Sequence, residues 1–179
     1  MDGQPTTLRM AGLELESVVD GPGIRATVFV QGCSHHCEGC HNPTTHDPAG
    51  GEEWTIEAVA DKVTANPLIR GITLSGGEPM EQAEAVDRLV DLVHARCPRF
   101  DFMLYTGYTW EWLLEKGSEA QKRLLSKMMI LVDGPFILAK RNLELRFRGS
   151  ENQRVIDVQR SLREGRPVLW EFETYFGLQ

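Results

Sequence analysis

Three cysteines stand close together in the chain, and their spacing is its strongest chemical signal. Cys33, Cys37 and Cys40 form a CxxxCxxC pattern. Cysteines crowded in this way in an unexported chain bind metal more often than they pair as disulfides. A closed zinc site needs a fourth ligand, whereas a [4Fe–4S] cluster held by only three cysteines would keep one iron open to a substrate. The histidines near enough to complete a zinc site are His35, His36 and His41.

The remaining cysteine stands apart from this group. Cys97 lies 57 residues beyond Cys40, at the end of a predicted helix and directly before Pro98. A helix that follows a strand of a parallel sheet ends on the opposite side of the sheet from the pocket. Cys97 is therefore predicted to be a small buried apolar residue and not a ligand.

Alternating strand and helix patterns predict where the cysteines lie. Runs of β-branched and aromatic residues predict strands over 24–31, 69–74, 100–105 and 128–132. Apolar residues at helical spacing lie between them: at 55–66, after Pro79, around 110–114 and around Leu124. This order predicts an α/β fold with parallel strands and right-handed crossovers.

The same order predicts one binding pocket. The cysteines follow the first of these strands, Ser75–Pro79 the second, Tyr105–Gly107 the third and Asp133 the fourth. Ligands of parallel sheets bind outside the carboxyl ends of the strands, so these loops are expected to surround a common site. In Ser75-Gly76-Gly77-Glu78-Pro79, glycines would let backbone carbonyls approach an ammonium group, and Glu78 would add a negative charge. A tight turn that starts a helix at Pro79 is the simpler alternative.

Length, composition and charge narrow the classes of protein. With 179 residues, 41% hydrophobic and 25% charged, the chain is expected to be one globular domain. A complete eight-strand barrel takes roughly 200–250 residues, so at most a partial barrel is expected. The net charge of −7 argues against non-specific nucleic-acid binding. Without an apolar membrane span or signal-peptide core, a cytoplasmic protein is expected.

One segment departs from the acidic balance of the chain. Residues 140–166 hold eight basic and four acidic side chains, a balance of +4. Such an asymmetry is typical of a docking face for an acidic partner, although a solvated mixed-charge surface is the commoner explanation. In the tail that follows, Trp170, Phe172, Thr174 and Phe176 alternate with Glu171, Glu173 and Tyr175, a pattern that fits an edge strand or an aromatic docking tail.

Three stretches of the sequence resemble a known family. Val19–Arg25 (VDGPGIR) and Gly32–Pro43, with its three cysteines, resemble the radical S-adenosylmethionine enzymes that activate glycyl-radical enzymes. Arg148–Asp157 (RGSENQRVID) is similar to the members that activate anaerobic ribonucleoside-triphosphate reductase. The resemblance covers about Leu13–Asp157 and implies a partial (β/α) barrel of the radical S-adenosylmethionine type. It therefore implies one domain with a core over about 13–157 and a C-terminal tail over 158–179.

The resemblance also implies a reaction and its cofactors. Cys33, Cys37 and Cys40 would hold one [4Fe–4S] cluster, whose open iron would bind S-adenosylmethionine. Reductive cleavage would give methionine and a 5′-deoxyadenosyl radical, which would take a hydrogen atom from a backbone glycine of the reductase. The electron would come from a donor such as a flavodoxin. The cofactor would supply the difficult chemistry, and the protein would supply placement and exclusion of water.

Residue roles implied by the resemblance fall into two groups. S-adenosylmethionine would be bound by Ser75, Gly76, Gly77, Glu78, Pro79, Thr106 and Asp133. The reductase would contact Asp20, Arg148, Asn152 and Arg154. Gly39 replaces the aromatic residue that often precedes the third cysteine and packs on adenine, a departure that the reductase-activating branch tolerates. Two alternatives stay open: an activase of another glycyl-radical enzyme, such as pyruvate formate-lyase, and a non-catalytic zinc-binding interaction module.

Overall fold

A mixed β-sheet organises the part of the chain that the computed structural model describes, which is Gly3 and residues 5–172. Within these residues, seven strands form one sheet in the order β3-β1-β2-β4-β5-β6-β7. The strands are β1 (Thr7–Ser17), β2 (Arg25–Val30), β3 (Glu52–Thr55), β4 (Gly71–Gly76), β5 (Asp101–Tyr105), β6 (Ile130–Asp133) and β7 (Arg154–Asp157).

Parallel strands form the centre of the sheet, and antiparallel strands form its edges. β2, β4, β5 and β6 pair in parallel, in register from Arg25 opposite Gly71 to Val30 opposite Gly76 in the first pair. β1 pairs antiparallel with β2 and with β3, and β7 pairs antiparallel with β6. The predicted α/β class with parallel central strands is confirmed. A partial barrel stays a prediction.

Four of the described α-helices lie between parallel strands, the fifth follows β7, and all five contribute buried residues to the main core. They are α1 (Ile56–Val63), α2 (Ala83–Arg96), α3 (Trp110–Lys116), α4 (Glu119–Ser126) and α5 (Val158–Glu164). Thr55 and Ser118 cap α1 and α4 through their side-chain oxygens, which satisfies backbone N–H groups that the first turn leaves free. None of the helices among the described residues is long and apolar enough to cross a membrane.

The two faces of the central strands carry different residues because successive side chains alternate. Apolar side chains such as Val28 and Leu74 join the main core between the sheet and the helices. On the other face, Met103 and Val132 belong to a smaller cluster against which Phe147, Trp170 and Phe172 pack. Residues 173–179, which include most of the predicted aromatic tail, lie outside the described residues.

Candidate cluster and cofactor site

One pocket gathers the loops that follow the central strands. Its lining includes all three clustered cysteines, the Gly-Gly-Glu turn after β4 and the residues around Thr106 after β5. Larger hollows of about 470–580 Å³ lie elsewhere on the described surface, but no cysteine lines any of these. The chemistry of the lining, rather than its volume, therefore marks this pocket as the candidate site. Its lining residues are Cys33, His35, Cys37, Cys40, Thr45, His46, Ser75, Gly76, Gly77, Glu78, Tyr105, Thr106, Gly107, Gly134, Phe136 and Gln153.

Backbone hydrogen bonds shape the cysteine loop without using the thiols as donors. The Gly32 N–H donates to the Thr45 carbonyl at 2.8 Å, and the Cys33 N–H donates to the His46 carbonyl at 3.2 Å. The Cys40 N–H closes a turn onto the Cys37 carbonyl at 3.1 Å. The three thiols are free and half-buried. Partial burial raises the pKa of the Cys33 thiol, since it disfavours the charged thiolate.

The cysteines fit an iron–sulfur cluster better than a single zinc ion. One zinc ion needs all of its ligands at one point, about 2.3 Å from each sulfur. Among the residues that the structure describes, no group of three His, Cys, Asp or Glu side chains converges in this way. A cluster presents a separate iron to each thiolate, so three cysteines around one pocket can hold it without converging.

The histidines predicted as possible fourth zinc ligands have other neighbours. His35 Nε2 lies 2.8 Å from Glu78 Oε2, and the His36 Nδ1 atom lies 3.4 Å from His46 Nδ1. The His41 ring packs on Phe136 at a centroid distance of 5.5 Å. These contacts give no support to a Cys₃His zinc site.

The glycines of the turn after β4 are required by the neighbouring backbone. Gly76 has φ +98°, and a Cβ there would lie 2.6 Å from the Val30 backbone. A Cβ on Gly77 would lie 2.2 Å from the Gly32 carbonyl oxygen. The Gly77 N–H donates to the Val30 carbonyl and the Glu78 N–H to the Gly32 carbonyl, both at 2.7 Å. The turn is therefore clamped onto the strand end that leads into the cysteine loop.

Glu78 connects three loops of the pocket through its carboxylate, which is only 1% exposed. Oε1 accepts hydrogen bonds from the Met80 N–H and the Thr106 hydroxyl, both at 2.9 Å. Oε2 accepts one from the Gly107 N–H at 2.8 Å and contacts His35 Nε2 at the same distance. The hydrogen bond to the Glu78 carboxylate raises the pKa of His35. All four contacts are to protein, whereas the sequence predicted a carboxylate facing a bound ammonium.

The comparisons with known proteins agree with this geometry. A family model described as a 4Fe-4S single cluster domain matches residues 19–156. The anaerobic ribonucleoside-triphosphate reductase-activating protein of Vibrio cholerae is 42% identical over 142 residues, covering 76% of this chain and 89% of the relative. The protein of that name from Salmonella typhi is 38% identical, covering 76% and 90%. The chain belongs to the family of the anaerobic ribonucleoside-triphosphate reductase-activating proteins.

Among solved structures, QueE from Escherichia coli aligns with this chain at a TM-score of 0.43 and 16% identity. The alignment covers 57% of this chain and 53% of QueE. At that distance the likeness carries no conclusion about function.

Of the residues predicted to bind S-adenosylmethionine in this member of the activating-protein family, most line the pocket. Ser75, Gly76, Gly77, Glu78 and Thr106 do so. The remaining two are not among its lining residues. Pro79 is buried at the start of a short 3-10 turn, Pro79–Gln82, and Asp133 is buried at the end of β6.

Asp133 is engaged by protein groups. Its Oδ2 accepts a hydrogen bond from the Trp110 N–H at 2.8 Å, at the start of α3. Its Oδ1 accepts one from Arg154 Nε at 3.0 Å, and Arg154 also pairs with Glu111. Asp133 is 1% exposed, whereas the Arg154 side chain is 32% exposed. The ion pair joins β6 to β7 and α3, which is a structural role that the prediction of cofactor binding did not include.

Asp133→Asn is expected to lower the free energy of unfolding by about 3 kcal/mol, at the lower end of the range for a broken buried pair because Arg154 keeps Glu111. Chemical denaturation of the cofactor-free protein measures this loss. Glu111→Gln is the matched control, since an exposed pair contributes about 1 kcal/mol or less. Weaker S-adenosylmethionine binding with unchanged stability would instead support the predicted cofactor contact.

The residues predicted to contact the reductase lie in two places. Asp20 precedes β2 and folds over the middle of the sheet: its Oδ2 accepts hydrogen bonds from the Ser17 and Thr27 hydroxyls, and its carbonyl accepts one from the Thr73 hydroxyl at 2.7 Å. Arg148 donates to the Gln153 carbonyl, and Asn152 donates to the Pro135 carbonyl at 2.8 Å. Arg148, Asn152 and Arg154 therefore stabilise the β6–β7 connection (residues 134–153). Their contact with a partner stays a prediction.

Sequence reasoning did not single out several lining residues, among them Thr45, His46, Phe136 and Gln153. Gln153 lies between Asn152 and Arg154, two of the three residues that were selected from the RGSENQRVID segment. Its Oε1 accepts from the Gly149 and Ser150 N–H groups, and its Nε2 donates to the Gly134 carbonyl at 3.1 Å. The signal was present in that segment, but nothing in the spacing distinguished Gln153 from its neighbours.

Proposed function

We propose that this protein activates an anaerobic ribonucleoside-triphosphate reductase by generating a glycyl radical on it, as a radical S-adenosylmethionine oxidoreductase. The observation that carries the proposal is the convergence of three free cysteines with the Gly-Gly-Glu turn in one pocket at the strand ends. The family to which the chain belongs supports the target. The proposal includes the partial (β/α) barrel that such enzymes have.

The cysteines would be the protein ligands of the cluster. Cys33, Cys37 and Cys40 are half-buried, so their thiolates can reach a cluster while the loop keeps one side of it accessible. When bound, the cluster would deliver one electron to S-adenosylmethionine, which yields methionine and a 5′-deoxyadenosyl radical. Three protein ligands leave one coordination position for the methionine end of that cofactor.

The strand ends would orient S-adenosylmethionine beside the cysteines. Ser75 and Gly76 end β4 in the lining, where backbone carbonyls can accept from an ammonium group. Glu78 would act by fixing Thr106 and Gly107 across the pocket, in addition to its negative charge. A site held in this way loses little of its geometry when the cofactor binds.

The reductase would supply the glycine, and a separate donor such as a flavodoxin would supply the electron. Lys140 and Arg141 are exposed on the β6–β7 connection. The β6–β7 connection also lies close to the cysteine loop, since Leu138 packs against Gly39. Positive charge beside the pocket would favour encounter with an acidic partner surface.

Anaerobic reconstitution tests the proposal. The protein is expected to bind about four irons and four sulfides per chain and, when reduced, to form methionine and 5′-deoxyadenosine from S-adenosylmethionine. Mixing with the reductase should produce a glycyl radical by electron paramagnetic resonance, whereas mixing with pyruvate formate-lyase should not. A protein that binds only zinc would contradict the proposal, and a radical on pyruvate formate-lyase alone would reassign the target.

A further inference from the structure

His46 lines the cysteine pocket, and one of its ring nitrogens has no hydrogen-bond partner among the described residues. His46 Nε2 is completely buried, and none of the described residues accepts from it or donates to it. The residue lines the same pocket as Cys33, Cys37 and Cys40. Its carbonyl accepts the hydrogen bond from the Cys33 N–H, so His46 is fixed to the cysteine loop. A buried polar nitrogen without a partner is costly, and therefore indicates a missing ligand atom.

The other ring nitrogen of His46 determines what that ligand atom must be. His46 Nδ1 lies 3.4 Å from His36 Nδ1, and the rings meet edge to face at a centroid distance of 5.0 Å. One of these two nitrogens must donate and the other accept. If His46 Nδ1 accepts, then Nε2 carries the proton and is a donor; in the opposite tautomer, Nε2 would direct a lone pair towards electron-rich thiolates.

His36 is held in an unusual conformation at this contact. Its φ is +47°, in the left-handed region that few non-glycine residues adopt. Strained backbone persists where the surrounding structure imposes it, often at functional sites. His36 lies between Cys33 and Cys37 in the chain, and in this backbone conformation its ring contacts the ring of His46.

We propose that His46 donates its Nε2–H to a sulfur atom of the cluster and thereby raises the reduction potential of the cluster. The inference rests on the proposed binding of the cluster by the three cysteines. Hydrogen bonds to cluster sulfurs set reduction potentials, because a donor stabilises the more negative, reduced form more than the oxidised form. His46 is thus a positioning and tuning residue that eases electron entry.

Three variants, each reconstituted anaerobically, test the role of His46. His46→Phe keeps a ring in the pocket and removes the donor, so the midpoint potential should shift to a more negative value. His46→Gln keeps an N–H donor, so its midpoint potential should lie between those of His46→Phe and the unmodified protein. His41→Phe is the matched control, since His41 is exposed and does not line the pocket, and its potential should equal that of the unmodified protein.

A spectroscopic measurement on the unmodified protein makes the test independent of the variants. With ¹⁵N-labelled histidine and exchange into D₂O, electron–nuclear double resonance of the reduced cluster should show one exchangeable deuteron and a weak histidine ¹⁵N coupling. Both signals should vanish in His46→Phe. Absence of both signals in the unmodified protein, or an unchanged potential in a fully loaded His46→Phe protein, overturns the inference alone. Failure of the unmodified protein to bind a cluster would instead overturn the proposed function.

Discussion

Cys33→Ala, Cys37→Ala and Cys40→Ala are each expected to give a folded protein that holds no intact four-iron cluster and cleaves no S-adenosylmethionine. Removal of an outer-shell partner of a metal site lowers metal affinity or activity roughly 10–100-fold, and removal of a direct ligand should lower both by more. Iron and sulfide content, the absorption of the cluster and the yield of 5′-deoxyadenosine measure the effect.

The fold is expected to survive these substitutions because the cysteine loop is anchored by other groups. Gln31 Nε2 donates to the Thr44 and Asp47 carbonyls at 3.0 and 2.7 Å, and the Gly32 N–H donates to the Thr45 carbonyl. The three cysteines belong to neither apolar cluster. The free energy of unfolding of the cluster-free protein should therefore change by about 1 kcal/mol or less.

Cys97→Ala is the matched control for the cysteine variants. Cys97, which the sequence predicted to be a buried apolar residue, is half-buried and packs against the main core at the end of α2. The variant should keep a full cluster and full activity, with a small loss of stability from the removed sulfur. A non-catalytic zinc module predicts the opposite pattern, in which Cys33→Ala unfolds the protein. That outcome would contradict both the cluster and the catalytic role.

The centre of the sheet was predictable from sequence because local patterns carry it. β2, β4, β5 and β6 are short runs of β-branched and aromatic residues, and their helices show clear apolar spacing. The edges were missed for physical reasons. β1 carries Glu14 and Glu16 on an exposed half, and β7 has only four residues within a basic, polar segment. Pairing with a distant strand, rather than local propensity, makes such segments extended.

The candidate site was predicted as a set of loops, but its internal contacts were not. Parallel topology brings strand ends together, and this places the cysteines beside Ser75–Glu78. By contrast, the contacts of Asp133 with Arg154 and of Glu78 with His35 join residues 21 and 43 positions apart. Whether the carboxylate of Glu78 or Asp133 faces a ligand or is bound by protein groups depends on the three-dimensional arrangement of the strands. Spacing along the chain does not contain that arrangement.

Glu78→Gln is expected to destabilise the cofactor-free protein by at least about 2 kcal/mol. A carboxamide has one acceptor oxygen, so its NH₂ group would face either Met80 and Thr106 or Gly107 and His35. The Thr106 hydroxyl or the His35 ring nitrogen could accept from it, but the backbone N–H of Met80 or Gly107 could not. Each buried donor left without an acceptor costs about 1–3 kcal/mol, and exposure of Glu78 to water is too small to compensate. Chemical denaturation without S-adenosylmethionine measures the loss.

Glu81→Gln provides the matched control for Glu78→Gln. Glu81 lies one turn further along the chain, and its Oε1 accepts hydrogen bonds from the Ser34 N–H, at 3.0 Å, and from the Ser34 hydroxyl. Because this contact is exposed and a glutamine oxygen can still accept, its stability should change by less than about 1 kcal/mol.

The effect of Glu78→Gln on the stability of the cofactor-free protein, compared with its effect on S-adenosylmethionine binding, separates two roles of the carboxylate. If Glu78 holds the His35, Thr106 and Gly107 loops together, the loss appears before any cofactor is added, and S-adenosylmethionine then binds more weakly because its pocket is less ordered. If the carboxylate acts only on a bound ammonium group, the cofactor-free protein keeps its stability and binding alone weakens. The four protein contacts at 2.8–2.9 Å predict the first result, and the second would refute it.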